Sequence, residues 1–356
     1  MKICILSIMN LKHMTLSSLY TDYFDRSNIK YDIICVDKYG ASEQSNANKL
    51  YAYRMNIKRD WPVYRKVLEY LKFRFYALRI LNENDYDFVI VWNSYTAFLF
   101  SDYLKRKKNR RFSINIRDYA GEKNPLVFAL MRSILGDAAF TTISSDGFKS
   151  FLPSGEYITV HSLNESLLSK QKIARRTRTA DDPIRISFIG YVRFFEIDKK
   201  VLDAFGNDER FIIQFFGEGS QLLQEYATKQ GYRNVRFHGR FEPEQTLQFL
   251  NETDVMNNLY GVGNIALDTA LSIKAYHAAY IGIPILVFEN TYMEQVATKY
   301  GFGYVVSDFA GLPDRFYEWY RNVDYDQLVA ACDRFVRDAQ HQNRFFEEIL
   351  MRYFPG

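Results

Sequence analysis

Short apolar runs alternate with helix-length segments along almost the whole chain, and this alternation restricts the possible folds more than any other feature. The runs are residues 2–8, 32–37, 87–92, 112–116, 140–143 and 157–161 in the first half, and residues 184–191, 211–217, 234–238, 254–258, 284–288 and 302–306 in the second half. Runs this apolar are typical of strands buried on both faces, as in parallel sheets. We therefore predict two consecutive α/β domains, each with a doubly wound, Rossmann-like sheet.

A polar segment rich in Lys, Arg and Thr, residues 166–183, is the predicted linker between the domains. It ends at a proline directly before the second half begins, which is a common place for a loop. We predict an N-terminal domain over residues 1–165, a C-terminal domain over residues 184–335, and a helix over residues 336–356 that can pack back on the first domain. Where two such sheets face each other across a central cleft, ligands bind at the carboxyl ends of the strands.

Cysteine usage and hydropathy predict the compartment. The three cysteines, Cys4, Cys35 and Cys332, have neither a metal-ligand spacing nor the pattern of a disulfide framework, which favours a reducing environment. No apolar run approaches the roughly 20 residues that span a bilayer, and the N-terminus does not read as a signal peptide. We expect a cytoplasmic protein whose membrane contact is peripheral. Because no Asp-x-Asp pair lies in a strand-end loop, we expect no metal site.

The most informative segment is SIKAYHAAYIGIP, residues 272–284. Ser272 suits an N-cap, Lys274 lies in the first helical turn, and Gly282 is placed to end the helix before the next strand. Just upstream, YGVGN (residues 260–264) is a glycine-containing loop. Glycines let the backbone approach a phosphate, and a helix N-terminus offers unpaired N–H groups. The pattern predicts a phosphate site, although an ordinary helix with a solvated lysine fits the spacing equally well.

This segment resembles the nucleotide-sugar motif of GT-B glycosyltransferases, in particular glycosyltransferase family four and its bacterial capsular and exopolysaccharide enzymes. The likeness extends over the second half, through residues 188–200, 215–220, 234–255 and 290–306. It implies the GT-B fold and a retaining hexosyltransferase that uses a nucleotide-sugar as co-substrate and needs no cofactor. The implied acceptor is a lipid-linked or oligosaccharide acceptor in surface polysaccharide synthesis.

The resemblance also implies roles for single residues of the donor site. Those at matching or neighbouring positions are Gly190, Arg193, Lys199 or Lys200, Gly217, Gly219, His238, Gly239, Asn264, Asp268 and Lys274. Gly190 and Arg193 would lie beside the donor diphosphate, and His238 and Gly239 would frame the base. Where the family has the glutamate that holds the donor ribose, this chain has His277, and Asp268 is a candidate for the missing carboxylate.

The candidate acceptor site lies in the first half, in the loop INIRDYAGEKN, residues 114–124. Arg117 and Asp118 are predicted to point into the cleft, where Asp118 would orient the acceptor hydroxyl. Glu122 is a second candidate for this role. A salt-bridged turn explains these residues equally well. His161 and Asn164 are expected to make hinge hydrogen bonds.

Two basic segments are predicted to face an anionic membrane. Residues 54–79 carry eight Lys or Arg against two acidic residues and are interleaved with aromatics, and residues 105–111 carry six basic residues and no acid. Near an anionic bilayer each Lys or Arg contributes roughly 1 kcal/mol. The mild net charge of +4 and the lack of a nucleic-acid motif argue against nucleic acid. A solvated helix face is the alternative, and self-association into a homo-oligomer stays open.

Two other functions also stay open: a sugar-nucleotide epimerase with two Rossmann-like domains, and a non-catalytic protein that binds nucleotide-sugars. An epimerase needs acidic and histidine side chains clustered in one cleft. The five histidines of this chain are scattered along it, at His13, His161, His238, His277 and His341. A dehydrogenase is disfavoured, because the first run is followed by a loop without the G-x-G-x-x-G pattern.

Overall fold

The structure, a computed structural model, describes residues 1–14, 17–40, 43–58, 60–169 and 182–356. The chain forms two compact units. The N-terminal unit comprises Met1–His161 together with Gln342–Gly356, and the C-terminal unit comprises Ser162–His341. The predicted linker, residues 166–183, lies mostly outside the described residues.

The N-terminal unit is built around a parallel sheet. Its strands are β1 (Ile3–Ser7), β2 (Tyr31–Asp37), β3 (Lys49–Arg54), β4 (Phe88–Trp92), β5 (Phe112–Ile116), β6 (Phe140–Ile143) and β7 (Ile158–Thr159). Its helices are α1 (Ser18–Arg26), α2 (Val63–Asn84), α3 (Ser94–Leu99), α4 (Ser101–Lys107) and α5 (Pro125–Asp137). The strands lie in the order β3-β2-β1-β4-β5-β6-β7, so the winding direction reverses between β1 and β4.

The C-terminal unit repeats this architecture. Its strands are β8 (Ile184–Ile189), β9 (Phe211–Phe216), β10 (Val235–His238), β11 (Val255–Asn257), β12 (Ile285–Phe288) and β13 (Gly303–Val306). Its helices are α6 (Glu165–Leu168), α7 (Phe195–Phe205), α8 (Gln221–Gln230), α9 (Thr246–Asn251), α10 (Ile265–Asp268), α11 (Ile273–Ile281), α12 (Tyr292–Tyr300) and α13 (Leu312–Asn322). The parallel order is β10-β9-β8-β11-β12-β13, and the reversal lies between β8 and β11.

The last helix, α14 (Tyr325–Tyr353), contributes its final turns to the core of the N-terminal unit. Phe354 packs edge-to-face on Phe24 with ring centroids 5.3 Å apart, and the Tyr23 hydroxyl donates a hydrogen bond of 2.8 Å to the Phe354 carbonyl. Large aromatic side chains bury much apolar surface, so these contacts close one face of the sheet. The helix predicted over residues 336–356 is the second half of α14, which begins earlier, at Tyr325.

The predicted pair of doubly wound parallel sheets is confirmed, since every apolar run proposed from the sequence contains a strand. The strand that the sequence did not reveal is β3. It pairs with β2 at the edge of the sheet, and exposed and partly buried residues alternate along it. An edge strand with polar residues lacks the continuous apolar run by which the other strands were found.

The basic segment 105–111 is not wholly on the surface. Lys108 is buried, and its Nζ donates hydrogen bonds to the Tyr86 carbonyl and, at 3.2 Å, to Asp85 Oδ1. The prediction that this whole segment faces a membrane is therefore wrong at Lys108, because the carbonyl and the carboxylate hold its ammonium group against the protein.

The loops that follow β8 and β9 touch each other through glycines. Gly190 has φ +136° and Gly217 has φ +152°, and a Cβ on Gly217 would lie 1.8 Å from the Gly190 carbonyl oxygen. The Gly190 N–H donates a hydrogen bond of 2.8 Å to the Phe216 carbonyl. A side chain at Gly217 would therefore separate two backbone segments that are in direct contact.

We expect Gly217→Ala to lower the free energy of unfolding by about 3 kcal/mol, since it adds a steric clash to an unfavourable φ. Gly231→Ala is the matched control, because Gly231 has φ +72° and no atom lies within 4 Å of the position that a Cβ would occupy there. This control should lose about 1 kcal/mol, the cost of the backbone conformation alone. Urea unfolding of both variants measures the difference, and equal losses would contradict the contact between the two loops.

Candidate functional site

The polar groups of the C-terminal unit gather where β8 and β11 diverge. Ligands of doubly wound sheets bind outside the carboxyl ends of the strands at such a reversal point. Here the chain leaves β8 at Gly190 and leaves β11 shortly before Tyr260. Helix α11 begins nearby at Ile273, and its first turn carries Lys274.

Lys274 places a buried positive charge at this edge. Helix α11 is capped as predicted, because Ser272 Oγ accepts a hydrogen bond of 3.3 Å from the Lys274 N–H and Gly282 ends the helix in the left-handed conformation. The side chain is only 4% exposed. Its Nζ donates a hydrogen bond of 2.6 Å to Tyr260 Oη and lies 4.0 Å from the centroid of the Phe188 ring.

The ammonium group of Lys274 also lies against the backbone of the loop after β8. A Cβ on Gly190 would be 3.5 Å from Lys274 Nζ. The glycine therefore keeps the space beside the charge free of side chains. A phosphate that approached this loop could contact both the backbone and the lysine, which is the arrangement that glycine-rich phosphate loops provide.

Two titratable side chains lie within electrostatic reach of Lys274. Asp198, in the first turn of α7, is fully buried, and neither of its carboxylate oxygens has a hydrogen-bond partner among the described residues. Burial raises the pKa of Asp198 to about 7, and the Lys274 charge acts in the opposite direction. Asp198 is thus a buried carboxyl group that interacts electrostatically with the lysine of the site.

His277 lies one turn after Lys274 and is also buried, and its Nδ1 has no hydrogen-bond partner in the described part of the chain. Burial, together with the nearby Lys274 charge, lowers the pKa of His277 to about 4. The imidazole is therefore neutral at pH 7. A neutral imidazole can accept and donate one hydrogen bond each, as a contact with a sugar hydroxyl requires.

Asp198 is the site residue that the sequence reasoning missed, although a signal was present. Residues 198, 201, 202 and 205 follow the spacing of one helix face, and all four are buried in α7. An aspartate on that apolar face is unusual, because carboxylates are almost never fully buried without a partner. A search for charged residues at predicted core positions would have found it.

Several predicted donor residues are brought together at neighbouring strand ends. The Gly217 N–H donates a hydrogen bond of 2.8 Å to the His238 carbonyl, which joins the ends of β9 and β10. A Cβ on Gly219 would lie 2.3 Å from the Val192 carbonyl oxygen, so the loop after β8 crosses directly over the loop after β9. His238 is exposed, and its Nδ1 lies 3.2 Å from the carbonyl oxygen of Gly239.

Arg193 is connected to Lys274 through two aromatic rings. Its guanidinium carbon lies 5.0 Å from the centroid of the Phe194 ring, which stacks on Tyr260 at a centroid distance of 4.5 Å. Tyr260 in turn accepts the hydrogen bond from Lys274. Arg193 itself is exposed, so its charge is available to a ligand at the same loop.

Three other donor candidates, Lys199, Asn264 and Asp268, make mainly local contacts. Lys199 Nζ forms an ion pair of 2.8 Å with Glu196 and lies 5.6 Å from the centroid of the Tyr226 ring on α8. Asn264 caps α10, and Asp268 accepts hydrogen bonds from the Gly263 N–H at 3.1 and 3.2 Å. Asn264 also lines a cavity of about 820 Å³ together with Lys200 and Tyr260.

The candidate acceptor residues lie after β5 in the N-terminal unit. The Arg117 guanidinium carbon lies 6.0 Å from the centroid of the Trp92 ring, and Asp118 is exposed. Glu122 is fully buried; its Oε2 accepts a hydrogen bond of 2.6 Å from the Ala120 N–H, and its Oε1 has no partner among the described residues. Burial, with Glu122 and Asp118 nearby, raises the pKa of Tyr95.

His161 makes its hydrogen bonds to the end of α14. Its backbone N–H donates to Asn343 Oδ1 at 2.8 Å, and its Nε2 lies 3.0 Å from Gln342 Oε1.

Across the described ranges, no three His, Cys, Asp or Glu side chains converge in a way that could hold a metal ion.

The chain resembles known proteins in structure rather than in sequence. No family model matches the chain, and no curated protein matches it. Solved structures match over almost its full length. Sucrose-phosphate synthase from Thermosynechococcus elongatus superposes with a TM-score of 0.71 at 11% identity, over 99% of both chains. HepE from Anabaena, solved in complex with UDP, gives a TM-score of 0.68 at 12% identity, over 99% of this chain and 100% of that chain.

The chain has the GT-B fold. A UDP-GlcNAc 2-epimerase from Neisseria meningitidis, bound to UDP-GlcNAc, also matches, with a TM-score of 0.60 at 12% identity over 96% of this chain and 100% of that one. Likeness at such low identity shows the fold alone. It confirms the two Rossmann-like domains of the GT-B fold and assigns no role to any residue.

Asp198 and His277 should oppose each other in the pH dependence of stability. The folded state keeps a proton on Asp198 that the unfolded state has lost, so this residue makes the free energy of unfolding fall as pH rises from 3.8 to about 7. The unfolded state binds a proton on His277 that the folded state does not, so this residue makes stability fall as pH drops from 6.5 to about 4. Between about pH 4.5 and 6 the two contributions cancel.

Substitution of either residue should leave only the pH dependence of stability that the other residue causes. Relative to the unmodified chain, Asp198→Asn should gain stability with rising pH, and His277→Gln should lose it, each by about 1.4 kcal/mol per pH unit. Urea unfolding at several values between pH 4.5 and 6 measures both slopes. Slopes of the same sign, or no change from the unmodified chain, would contradict the burial of these two groups.

Proposed function

We propose that the chain is a glycosyltransferase that binds a nucleotide-sugar through its C-terminal unit and transfers the sugar to an acceptor. The buried ammonium group of Lys274 beside Gly190 is the observation that carries this proposal. In a transfer from a nucleoside diphosphate sugar, the bond between the anomeric carbon and the diphosphate oxygen breaks, and negative charge grows on the diphosphate. A preorganised cation and backbone N–H groups at that position lower the barrier.

The contacts of Lys274 support a diphosphate rather than a neutral ligand. Lys274 Nζ donates a hydrogen bond to the hydroxyl of Tyr260, which is a neutral group. The positive charge of Lys274 also acts to lower the pKa of the buried Asp198 carboxyl. An anionic ligand would add the strong charge-assisted hydrogen bonds that the tyrosine cannot offer. Exposed Arg193 would add a second charge from the same loop. Such cationic side chains can stabilise the leaving group, and we propose that the transfer is metal-independent.

The acceptor side of the proposal rests on the N-terminal unit. Asp118 is exposed at the carboxyl end of β5, where it can accept the proton of an acceptor hydroxyl or orient it, and Arg117 lies beside it. Glu122, whose Oε1 has no hydrogen-bond partner within the described ranges, is the second candidate for this role. The resemblance to glycosyltransferase family four supports retention of anomeric configuration, a hexose donor, and a role in capsular or exopolysaccharide synthesis.

An epimerase is the alternative, supported by the matching UDP-GlcNAc 2-epimerase structure. The two reactions are distinguished by their products. A transferase releases free nucleotide only when an acceptor is present, whereas an epimerase interconverts nucleotide-sugars without one. A protein that only binds would do neither.

We propose that helix α2 attaches the protein to an anionic membrane surface that carries a lipid-linked acceptor. None of the described helices is both long and apolar enough to span a bilayer. One face of α2 exposes large apolar side chains, namely Val63, Tyr64, Val67, Leu68, Leu71 and Phe75. Beside this stripe, Arg65, Lys72 and Arg79 follow one another at seven-residue intervals and are all exposed. An apolar face flanked by basic residues is typical of helices that lie in a membrane interface.

We expect Lys274→Gln to weaken the binding of the donor nucleotide by about 10- to 100-fold, because a hydrogen bond to a charged group contributes about 1.5–3 kcal/mol. The nucleotide is chosen from UDP, GDP and CDP as the one that most raises the melting temperature. Lys229→Gln, at an exposed lysine of α8, is the matched control and should bind normally. Turnover of the unmodified chain should be equal with and without EDTA. Unchanged binding by Lys274→Gln would refute the diphosphate site.

We expect the protein to sediment with vesicles that contain phosphatidylglycerol and to remain in solution with vesicles of phosphatidylcholine alone. The double variant Arg65→Glu/Lys72→Glu should lose most of this binding, and salt should weaken it because it screens charges beyond about 8 Å at physiological strength. Lys229→Glu/Arg233→Glu in the C-terminal unit is the control of equal charge change. If the unmodified chain binds both kinds of vesicle equally, α2 is excluded as an anionic-membrane surface. The same follows if the α2 variant and the control variant bind phosphatidylglycerol vesicles equally.

A further inference from the structure

A groove in the N-terminal unit lies away from the strand ends that hold Arg117 and Asp118. It has a volume of about 700 Å³, within the usual range of ligand pockets. The end of α5 and the final turns of α14 form its walls, and the first residues of β6 and β7 form its floor. No residue of the candidate acceptor site lines it.

The groove carries an excess of positive charge. Arg110, Arg132 and Arg352 line it, and Glu156 is the only acidic residue among the described residues of its lining. None of the three arginines forms an ion pair with a carboxylate in the described part of the chain. Arg110 is fixed in place, because one of its guanidinium nitrogens donates a hydrogen bond of 2.9 Å to the Ala138 carbonyl. The guanidinium groups therefore offer donors for an anion, and arginine is well suited to the geometry of phosphate.

The remaining lining of the groove is largely apolar. Leu135 of α5 and Ile349 of α14 belong to the walls, and Phe140 and Tyr353 are in contact at its floor with a centroid distance of 4.8 Å. Phe345, also on α14, is 50% exposed although it is a large apolar side chain. A free phosphate would use the arginines and leave this apolar surface in contact with water.

We propose that the groove binds an anionic phospholipid, with its phosphate between the arginines and the first part of its chains against Phe345 and Ile349. The proposal rests on the membrane attachment proposed above. Arg110 belongs to the basic segment 105–111, which the sequence predicts to face anionic lipid, and unlike Lys108 it is exposed. Charge and apolar surface side by side match the two parts of a lipid.

The proposal is tested with dihexanoylphosphatidylglycerol below its micelle concentration, so that single lipids bind and no bilayer is present. The whole chain should bind it saturably in calorimetry and should not bind dihexanoylphosphatidylcholine. Arg132→Ala/Arg352→Ala should weaken binding about thirtyfold, since two exposed ion pairs with the phosphate are lost and each contributes up to about 1 kcal/mol. Arg65→Ala/Arg79→Ala on α2 is the matched control and should bind as the unmodified chain does.

A second variant tests the apolar part of the site. Phe345→Gln changes an exposed side chain, so it should fold normally and weaken the binding of the lipid while leaving any weak binding of glycerol 3-phosphate unchanged. Equal affinity for glycerol 3-phosphate and for the lipid would show a plain phosphate site and overturn the proposal. An equal loss of lipid affinity in Arg65→Ala/Arg79→Ala and in Arg132→Ala/Arg352→Ala would also overturn the proposal. Loss of vesicle binding by the α2 variant together with normal binding of single lipid would support the groove and α2 as separate contacts.

Discussion

The buried charge of Lys274 is the constraint to which the rest of the C-terminal unit is fitted. A cation removed from water is costly unless polar groups replace its hydration. Here Tyr260 accepts one hydrogen bond, and the ring of Phe188 offers its π face at 4.0 Å. Gly190 leaves the remaining side open to the loop after β8. Among the described residues, Tyr260 is the hydrogen-bond partner of this buried ammonium group, and the proposed diphosphate would supply further acceptors.

The two units place opposite kinds of polar group near the carboxyl ends of their parallel strands. In the C-terminal unit Lys274 lies on α11, which follows β11, and in the N-terminal unit Asp118 and Glu122 follow β5. A leaving diphosphate needs positive charge, and an acceptor hydroxyl needs a group that can take its proton. One repeated architecture can therefore carry two complementary parts of a transfer reaction, because function depends on the side chains at the strand ends.

The sequence predicted those features that depend on local patterns. Continuous apolar runs indicated the buried strands, and Ser272 and Gly282 indicated the ends of α11, since capping depends on residues close in the chain. It did not reveal β3, which pairs only at an edge, or the inward direction of Lys108, which depends on a carbonyl twenty-two residues away in the chain. Asp198 lay on a recognisable helix face, but its lack of a partner depends on tertiary packing. The ion pair between Glu196 and Lys199, by contrast, joins residues three apart on one helix and is a local pattern that the sequence reasoning overlooked.

The division of α14 between the two units affects the order in which the protein can fold. Domains usually fold as they emerge from the ribosome, the N-terminal one first. In this chain the N-terminal unit obtains Phe346, Leu350 and Phe354 for its core only after the entire C-terminal unit has been synthesised. Until then Tyr20 lacks its contact with Phe346 and Phe24 lacks its contact with Phe354. The unit that is translated first is therefore the unit whose core is completed last.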